Sequence, residues 1–165
     1  LMVTHNPDEA MFMADRILVM GPNGKILQEG SPNEVYLSPV HPFVASFFGQ
    51  VNRLSGIARN EVVETPLGNL PVPGSEDGCE FDIVIRPHSI KLTEGNEEGV
   101  PVEILNARLL GQNTFVRFRT TSQSTEFNEF HCRQRGVFPK NAANEVRAKI
   151  LPDRVFVYRR NEFDK

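Results

Sequence analysis

The sequence is poor in cysteine, in long apolar runs and in net charge. Its 165 residues hold two cysteines, Cys79 and Cys132, far apart and with no Cys-x-x-Cys pair. That excludes a disulfide-stapled scaffold and reads as two ordinary thiols in a reducing, cytosolic setting. No apolar run approaches the ~20 residues needed to span a membrane. The start carries no basic segment, apolar core and small-residue cleavage site, so no signal peptide is expected. Residues 1–50 hold 2 basic side chains against 5 acidic, while residues 51–165 hold 16 of each. Neither part has the excess of lysine and arginine that a phosphate-neutralising nucleic-acid surface normally needs. His5, His41, His88 and His131 are scattered without the paired spacing of a metal site. The Gly-x-x-x-x-Gly-Lys-Ser/Thr phosphate loop occurs nowhere, and neither internal repeats nor low-complexity segments are evident.

What is present divides near residue 50. The first part reads as mixed α and β. Residues 1–4 look like the end of a strand whose pairing partners are missing, and the first residue is Leu, so a piece of something longer is expected. Asn6 is a good N-cap, Pro7 suits the first helical position, and Asp8 and Glu9 complement a helix start. Ala10, Met13 and Ala14 fall at helical spacing. A strand over 16–20, the Gly21-Pro22-Asn23-Gly24 connection and a strand over 25–29 make a hairpin, with Asn-Gly supplying left-handed backbone. Ser31-Pro32-Asn33-Glu34 is a capping box opening a short helix. Pro42 begins another, with Phe43/Phe47 and Val44/Phe48 at i,i+4 and Gly49 as its stop. Such an apolar stripe is ordinarily core.

From about Val51 short strands take over, with candidates over 54–58, 62–64, 81–86, 100–110, 114–120, 126–133, 146–150 and 154–159. Turns separate them at Gly68-Asn69, Pro71 to Gly78, Gly95-Asn96, Gly111 and Pro152-Asp153. Many short strands at such spacing suggest a small closed or nearly closed barrel, because closure removes sticky edges. His5 stands at the end of the first presumed strand and before a helix start, the place where open α/β sheets bind ligands. Its imidazole and the helix N–H groups could meet an anion; a turn histidine bonded to local backbone is the plainer reading.

The residues VTHNPDEAMFMADRILVM and NGKILQEGSPNEVYLSPVHPFVASFFG resemble the C-terminal end of the nucleotide-binding domain of ATP-binding cassette (ABC) importers. There a strand ends in a switch histidine, and an Ala-Asp-Arg-Ile stretch, a Gly-Lys-Ile hairpin and a Pro…Phe-Val-Ala-x-Phe-x-Gly helix follow. The match runs from Thr4 and His5 to Phe48 and Gly49. The remainder is similar to the OB-type (TOBE) regulatory domain of importer ATPases for iron, polyamines, sulfate and sugars. That likeness rests on Leu67-Gly68-Asn69-Leu70-Pro71, Ile85-Arg86-Pro87, Ile90-Lys91-Leu92 and Leu109-Leu110-Gly111, with Asn52 and Gly56 also fitting.

The resemblance implies a mainly β chain. Residues 1–50 would be the α/β remnant of the ATPase domain, and residues 51–165 an OB-like TOBE β-barrel with a regulatory role. It implies that His5 is the switch histidine contacting the γ-phosphate of ATP, the one catalytic-site residue carried here. No cofactor-binding or metal residue is assigned. ATP and magnesium belong to the longer parent, and this chain, lacking the phosphate loop, is expected to be inactive alone. The implied partners are permease subunits and a second copy of the ATPase subunit in a homodimer, at the cytoplasmic face of the membrane. The implied cargo is ferric iron, a polyamine, sulfate or a sugar. Asn6-Pro7 departs from the acidic residue and Gln or Arg often found after the histidine.

The alternative is a stand-alone OB-type module for nucleic acid or a small oxyanion. Arg117 and Arg119 alternate with Val116 and Phe118, Phe115 shares the arginine side, and Arg133 and Arg135 stand near a strand end. One polar and one buried strand face produce the same pattern.

Overall fold

The computed structural model describes residues 1–95, 97–121, 129–138, 145–151 and 154–160. Local signals in the first part set its elements. Asn6 Oδ1 accepts from the Asp8 and Glu9 amides and starts α1 (Pro7–Met13). The hairpin β1 (Ile17–Met20) and β2 (Ile26–Gly30) turns through Gly24, whose φ of +76° suits glycine. Ser31 and Glu34 form the reciprocal capping box of α2 (Pro32–Leu37), and His41 Nδ1 caps α3 (Pro42–Phe47) by accepting from the Phe43 amide at 3.0 Å. Ile17, Val19, Val35, Val44 and Phe48 close a small core here.

Residues 1–4 form no strand. A strand exists by virtue of a ladder, and these residues have no neighbouring strand to bond. Leu1 and Val3 lie open to solvent.

The second part contains β3 (Asn52–Arg59), β4 (Val62–Thr65), β5 (Gly68–Pro71), β6 (Glu80–Ile85), β7 (Ile90–Glu94), β8 (Val100–Leu110), β9 (Asn113–Thr120), β10 (Glu129–Arg135), β11 (Val146–Ile150) and β12 (Val155–Arg159). They make two five-stranded sheets, ordered β12-β6-β3-β4-β5 and β10-β9-β8-β11-β7, with antiparallel pairs throughout. The chain is mainly β, as the strand pattern predicts. A single core joins both sheets, including Phe81, Ile83 and Ile85 from one and Phe118, Phe130 and Cys132 from the other.

The outer edges of the second sheet face each other without a ladder. Gln134 Oε1 accepts from the Leu92 amide at 3.1 Å, and the Cys132 thiol donates to the Ile90 carbonyl at 2.9 Å. Side chains thus cover edge groups that would otherwise invite pairing. Asn52, buried on the first sheet, clips on to β10: its Nδ2 donates to the His131 carbonyl at 2.8 Å, and its Oδ1 accepts from the His131 amide at 2.7 Å. At Gly56 a Cβ would stand 2.3 Å from Val63 Cγ1, so glycine is what lets β3 press against β4.

Two strands depart from the sequence expectation. β5 arises where Gly68-Asn69 reads as a turn; it pairs with β4 and brings Pro71 opposite Val62. β7 pairs along its whole length with β11. The strand expected over 81–86 ends at Ile85, because Pro87 opens a single 3-10 turn (Pro87–Ser89). Residues 126–128 of the strand expected over 126–133, Asn96 and the Pro152-Asp153 turn lie outside the described residues. Among the described residues, no helix is long and apolar enough to cross a membrane.

Candidate functional site

His5 sits in a bend, exposed, immediately before the Asn6 cap. The turn is held by its neighbours. Thr4 Oγ1 donates to Glu9 Oε2 at 2.6 Å and accepts from the Asn6 amide at 3.0 Å. Glu9 is therefore spent on fixing the turn, and the first free amides of α1 are spent on Asn6 Oδ1. The expectation that helix N–H groups stand ready for an anion is corrected on this point: at Asp8 and Glu9 the cap has already taken them. What the turn offers is the imidazole itself, held on an ordered loop and turned to solvent.

Beside it lies an open groove of about 290 Å³ lined by Pro7, Asp8, Met11, Phe12, Tyr36 and Phe48. Phe12 and Met13 on α1 are largely exposed, as are Leu18 and Met20 on β1. The groove is apolar and its floor belongs to the small core.

The residue that ties this region to the sheets is Arg86, where β6 gives way to the 87–89 turn. Its side chain is 1% exposed. Nη1 donates to the Phe48 carbonyl at the end of α3 (3.1 Å), and Nη2 to the Tyr36 carbonyl in the last turn of α2 (3.5 Å). The guanidinium carbon lies 4.3 Å from the Tyr36 ring centre, a cation–π distance. Burial pulls the Arg86 pKa below the usual guanidinium range, and the like charge of Arg154 adds to that. Guanidinium is basic enough to stay charged regardless. Carbonyls at two helix ends and an aromatic face thus stand in for a carboxylate. Tyr158 on β12 makes a second tie, its hydroxyl donating to the Pro39 carbonyl at 2.9 Å, while Ala45 of α3 packs on Val84 and Tyr158. Burial pushes the Tyr158 hydroxyl up, so it remains a donor.

Sequence reasoning quotes Arg86 only as part of a motif. A readable signal exists: a lone cation closing an apolar strand, directly before proline.

The remaining histidines are dispersed as their spacing suggests. His41 caps α3, His131 stacks on Phe115 with ring centres 5.3 Å apart, and His88 Nε2 lies 2.8 Å from Arg154 Nη1. Among the described residues, no group of three His, Cys, Asp or Glu side chains converges on a point that could hold a metal ion. Of the four arginines that suggest a nucleic-acid platform, two are matched by acids: Arg117 pairs with Glu129 at 3.4 Å and Arg119 with Glu103 at 2.6 Å. Exposed pairs of this kind leave the face nearly neutral.

No family model matches the chain. It is 32% identical, over 99% of its length, to the spermidine/putrescine import ATP-binding protein PotA of Desulfitobacterium hafniense, spanning 46% of that protein. It is 36% identical over 69% of its length to the sulfate/thiosulfate import ATP-binding protein CysA of Bordetella parapertussis, spanning 33% of it. It is 37% identical over 59% of its length to the Fe(3+) ions import ATP-binding protein FbpC of Streptomyces avermitilis, spanning 28% of it. The chain spans less than half the length of each of these relatives. It belongs to the family of ATP-binding subunits of ABC importers.

Proposed function

We propose that the chain is the C-terminal portion of an importer ATP-binding subunit. Residues 1–50 close the nucleotide-binding domain, and residues 51–165 form an OB-type regulatory domain. In the whole subunit ATP hydrolysis drives solute uptake through membrane permease subunits, with two ATPase subunits acting as a pair on the cytoplasmic face. Relatives named for a polyamine, sulfate and ferric iron match at 32–37% identity, which supports an importer ATP-binding subunit and singles out no cargo.

The observation that carries the reading is His5: an exposed imidazole on a turn held by Thr4, Glu9 and Asn6, beside an apolar groove. ATP with magnesium supplies the phosphoryl group to be transferred. His5 donates one hydrogen bond from its imidazole N–H to an oxygen of the terminal phosphate, positioning charge in a reaction governed by placement and electrostatics. Thr4 and Glu9 set the turn and touch no reacting atom. Arg86 and Tyr158 link the helices beside this turn to the β sheets.

The test is His5→Ala in the full-length subunit. ATP turnover is expected to fall about a hundredfold, the scale of one lost electrostatic contact, with nucleotide affinity changing less than threefold. Unchanged turnover refutes the role of His5. The 165-residue chain alone should show no turnover, and measurable hydrolysis by it would refute the division of labour proposed here.

A further inference from the structure

The short helix α3 packs in two directions. Val44 and the C-cap Phe48 lie in the small core of residues 1–50, while Ala45 packs on Val84 and Tyr158 of the first sheet. Its far end is held from the sheet side: the Phe48 carbonyl accepts from Arg86 at 3.1 Å, and Ser46 Oγ accepts from Arg53 Nη2 at 2.6 Å. The loop before it is pinned as well. Gln28 donates to the Ser38 carbonyl at 3.1 Å and accepts from the Val40 amide at 3.0 Å, and the Tyr158 hydroxyl donates to the Pro39 carbonyl.

The start of α3 differs chemically from the starts of its neighbours. α1 and α2 are capped by Asn6 and Ser31, whose side chains do not titrate near neutrality. α3 is capped by His41. Pro42 has no amide proton, so Phe43 presents the first N–H of the helix, and it donates to His41 Nδ1 at 3.0 Å. An imidazole nitrogen that accepts carries no proton, so this cap exists only while His41 is neutral. Protonated, Nδ1 is a second donor facing the Phe43 N–H, and its charge falls at the positive end of the helix. The first turn of α3 holds no acidic residue to offset it.

We propose that His41 is a pH-sensitive latch: protonation of its imidazole uncaps α3 and loosens the joint between residues 1–50 and the β sheets. α2, β6 and β12 pack on this helix. On them Glu34 is held by the Ser31 amide, Glu80 and Asp82 pair with Arg160, and Arg159 donates to Cys79 Sγ. Carboxylates, tyrosines and arginines ordinarily keep their charge between about pH 7.5 and 5.5, where imidazoles titrate. Burial holds the His41 pKa below the ordinary histidine value. The unfolded chain therefore takes up this proton at a higher pH than the folded one. Stabilisation by the latch is complete above the ordinary histidine pKa and declines as pH falls from there through the folded value. The proposal stands independently of the importer reading.

The test follows the Phe43 amide and the histidine ring signals of the 165-residue chain by NMR from about pH 7.5 to about 5.5, together with amide protection corrected for the intrinsic pH dependence of exchange. The Phe43 amide and the His41 ring should titrate with one midpoint, below the ordinary histidine value. Protection of the Ala45 and Phe48 amides, which bond back to the His41 and Val44 carbonyls, should fall about fivefold across the range, the scale of one lost cap. His41→Asn keeps a side-chain acceptor that does not titrate, so α3 should stay protected throughout. His41→Ala should show at the upper pH the low protection that the parent reaches only at the lower one. His88 lies beside Arg154 and has its own pKa held down, by burial first, so His88→Gln is the control and should leave the fall in α3 unchanged. A Phe43 amide that ignores the His41 titration, a fall in protection that persists in H41N, or one that vanishes in H88Q would overturn the latch.

Discussion

Replacing Arg86 tests how the two parts of the chain are joined. In Arg86→Ala the Phe48 carbonyl loses a charged donor at 3.1 Å, and the Tyr36 carbonyl a longer one at 3.5 Å. A hydrogen bond from a charged group is worth about 1.5–3 kcal/mol, and a desolvated cation–π contact about 2 kcal/mol. The void left by the side chain adds to the loss. Against this, the parent keeps a cation buried without a carboxylate, and removing it recovers several kcal/mol of desolvation. We expect a net destabilisation of about 3 kcal/mol for the alanine variant, well short of the gross sum. Arg86→Lys keeps the charge but cannot fork across two carbonyls, and should lose about 2 kcal/mol. Urea unfolding followed by circular dichroism gives the total, and amide exchange gives its location. Protection should fall first in α2 and α3, whose carbonyls Arg86 holds. An alanine variant within about 0.5 kcal/mol of the parent, or exchange loss spread evenly through the sheets, would refute the role of Arg86 as the joint.

Two other outcomes follow from single contacts. Gly56→Ala puts a Cβ 2.3 Å from Val63 Cγ1 in a filled core and should cost about 1–3 kcal/mol in denaturant unfolding. Val63→Ala in the same chain should cost less than it does alone, and strictly additive losses would contradict the close approach. Cys132 is buried, donates to the Ile90 carbonyl, and has its pKa pushed up to about 12 by burial. In the native chain a thiol reagent at neutral pH should label Cys79 and spare Cys132 until the protein unfolds; equal labelling of both would refute the edge contact.

The residues themselves determined whatever depends on near neighbours. Asn6, the Ser31–Glu34 box and the Gly24 turn specify their elements through atoms within a few positions of each other. Alternation of Phe81, Ile83 and Ile85 specifies the face of β6 that enters the shared core, and β8 and β11 have the bounds that their turns and hydrophobic pattern predict. The histidine turn was legible for the same reason.

Only the tertiary structure decided the rest. Gly68–Pro71 carries turn residues and becomes β5 because β4 presents a free ladder and an edge position tolerates Pro71. Residues 1–4 carry strand residues and form none, because pairing is a property of two segments. Arg86 enters the sequence reading only as the end of an expected strand and part of the Ile85-Arg86-Pro87 motif. It is buried because α2 and α3 end where it stands, 50 and 38 residues away in sequence, and supply the carbonyls that replace water. The approach of Arg154 Nη1 to His88 Nε2 at 2.8 Å likewise joins the start of β12 to the 87–89 turn, a proximity that no local pattern encodes.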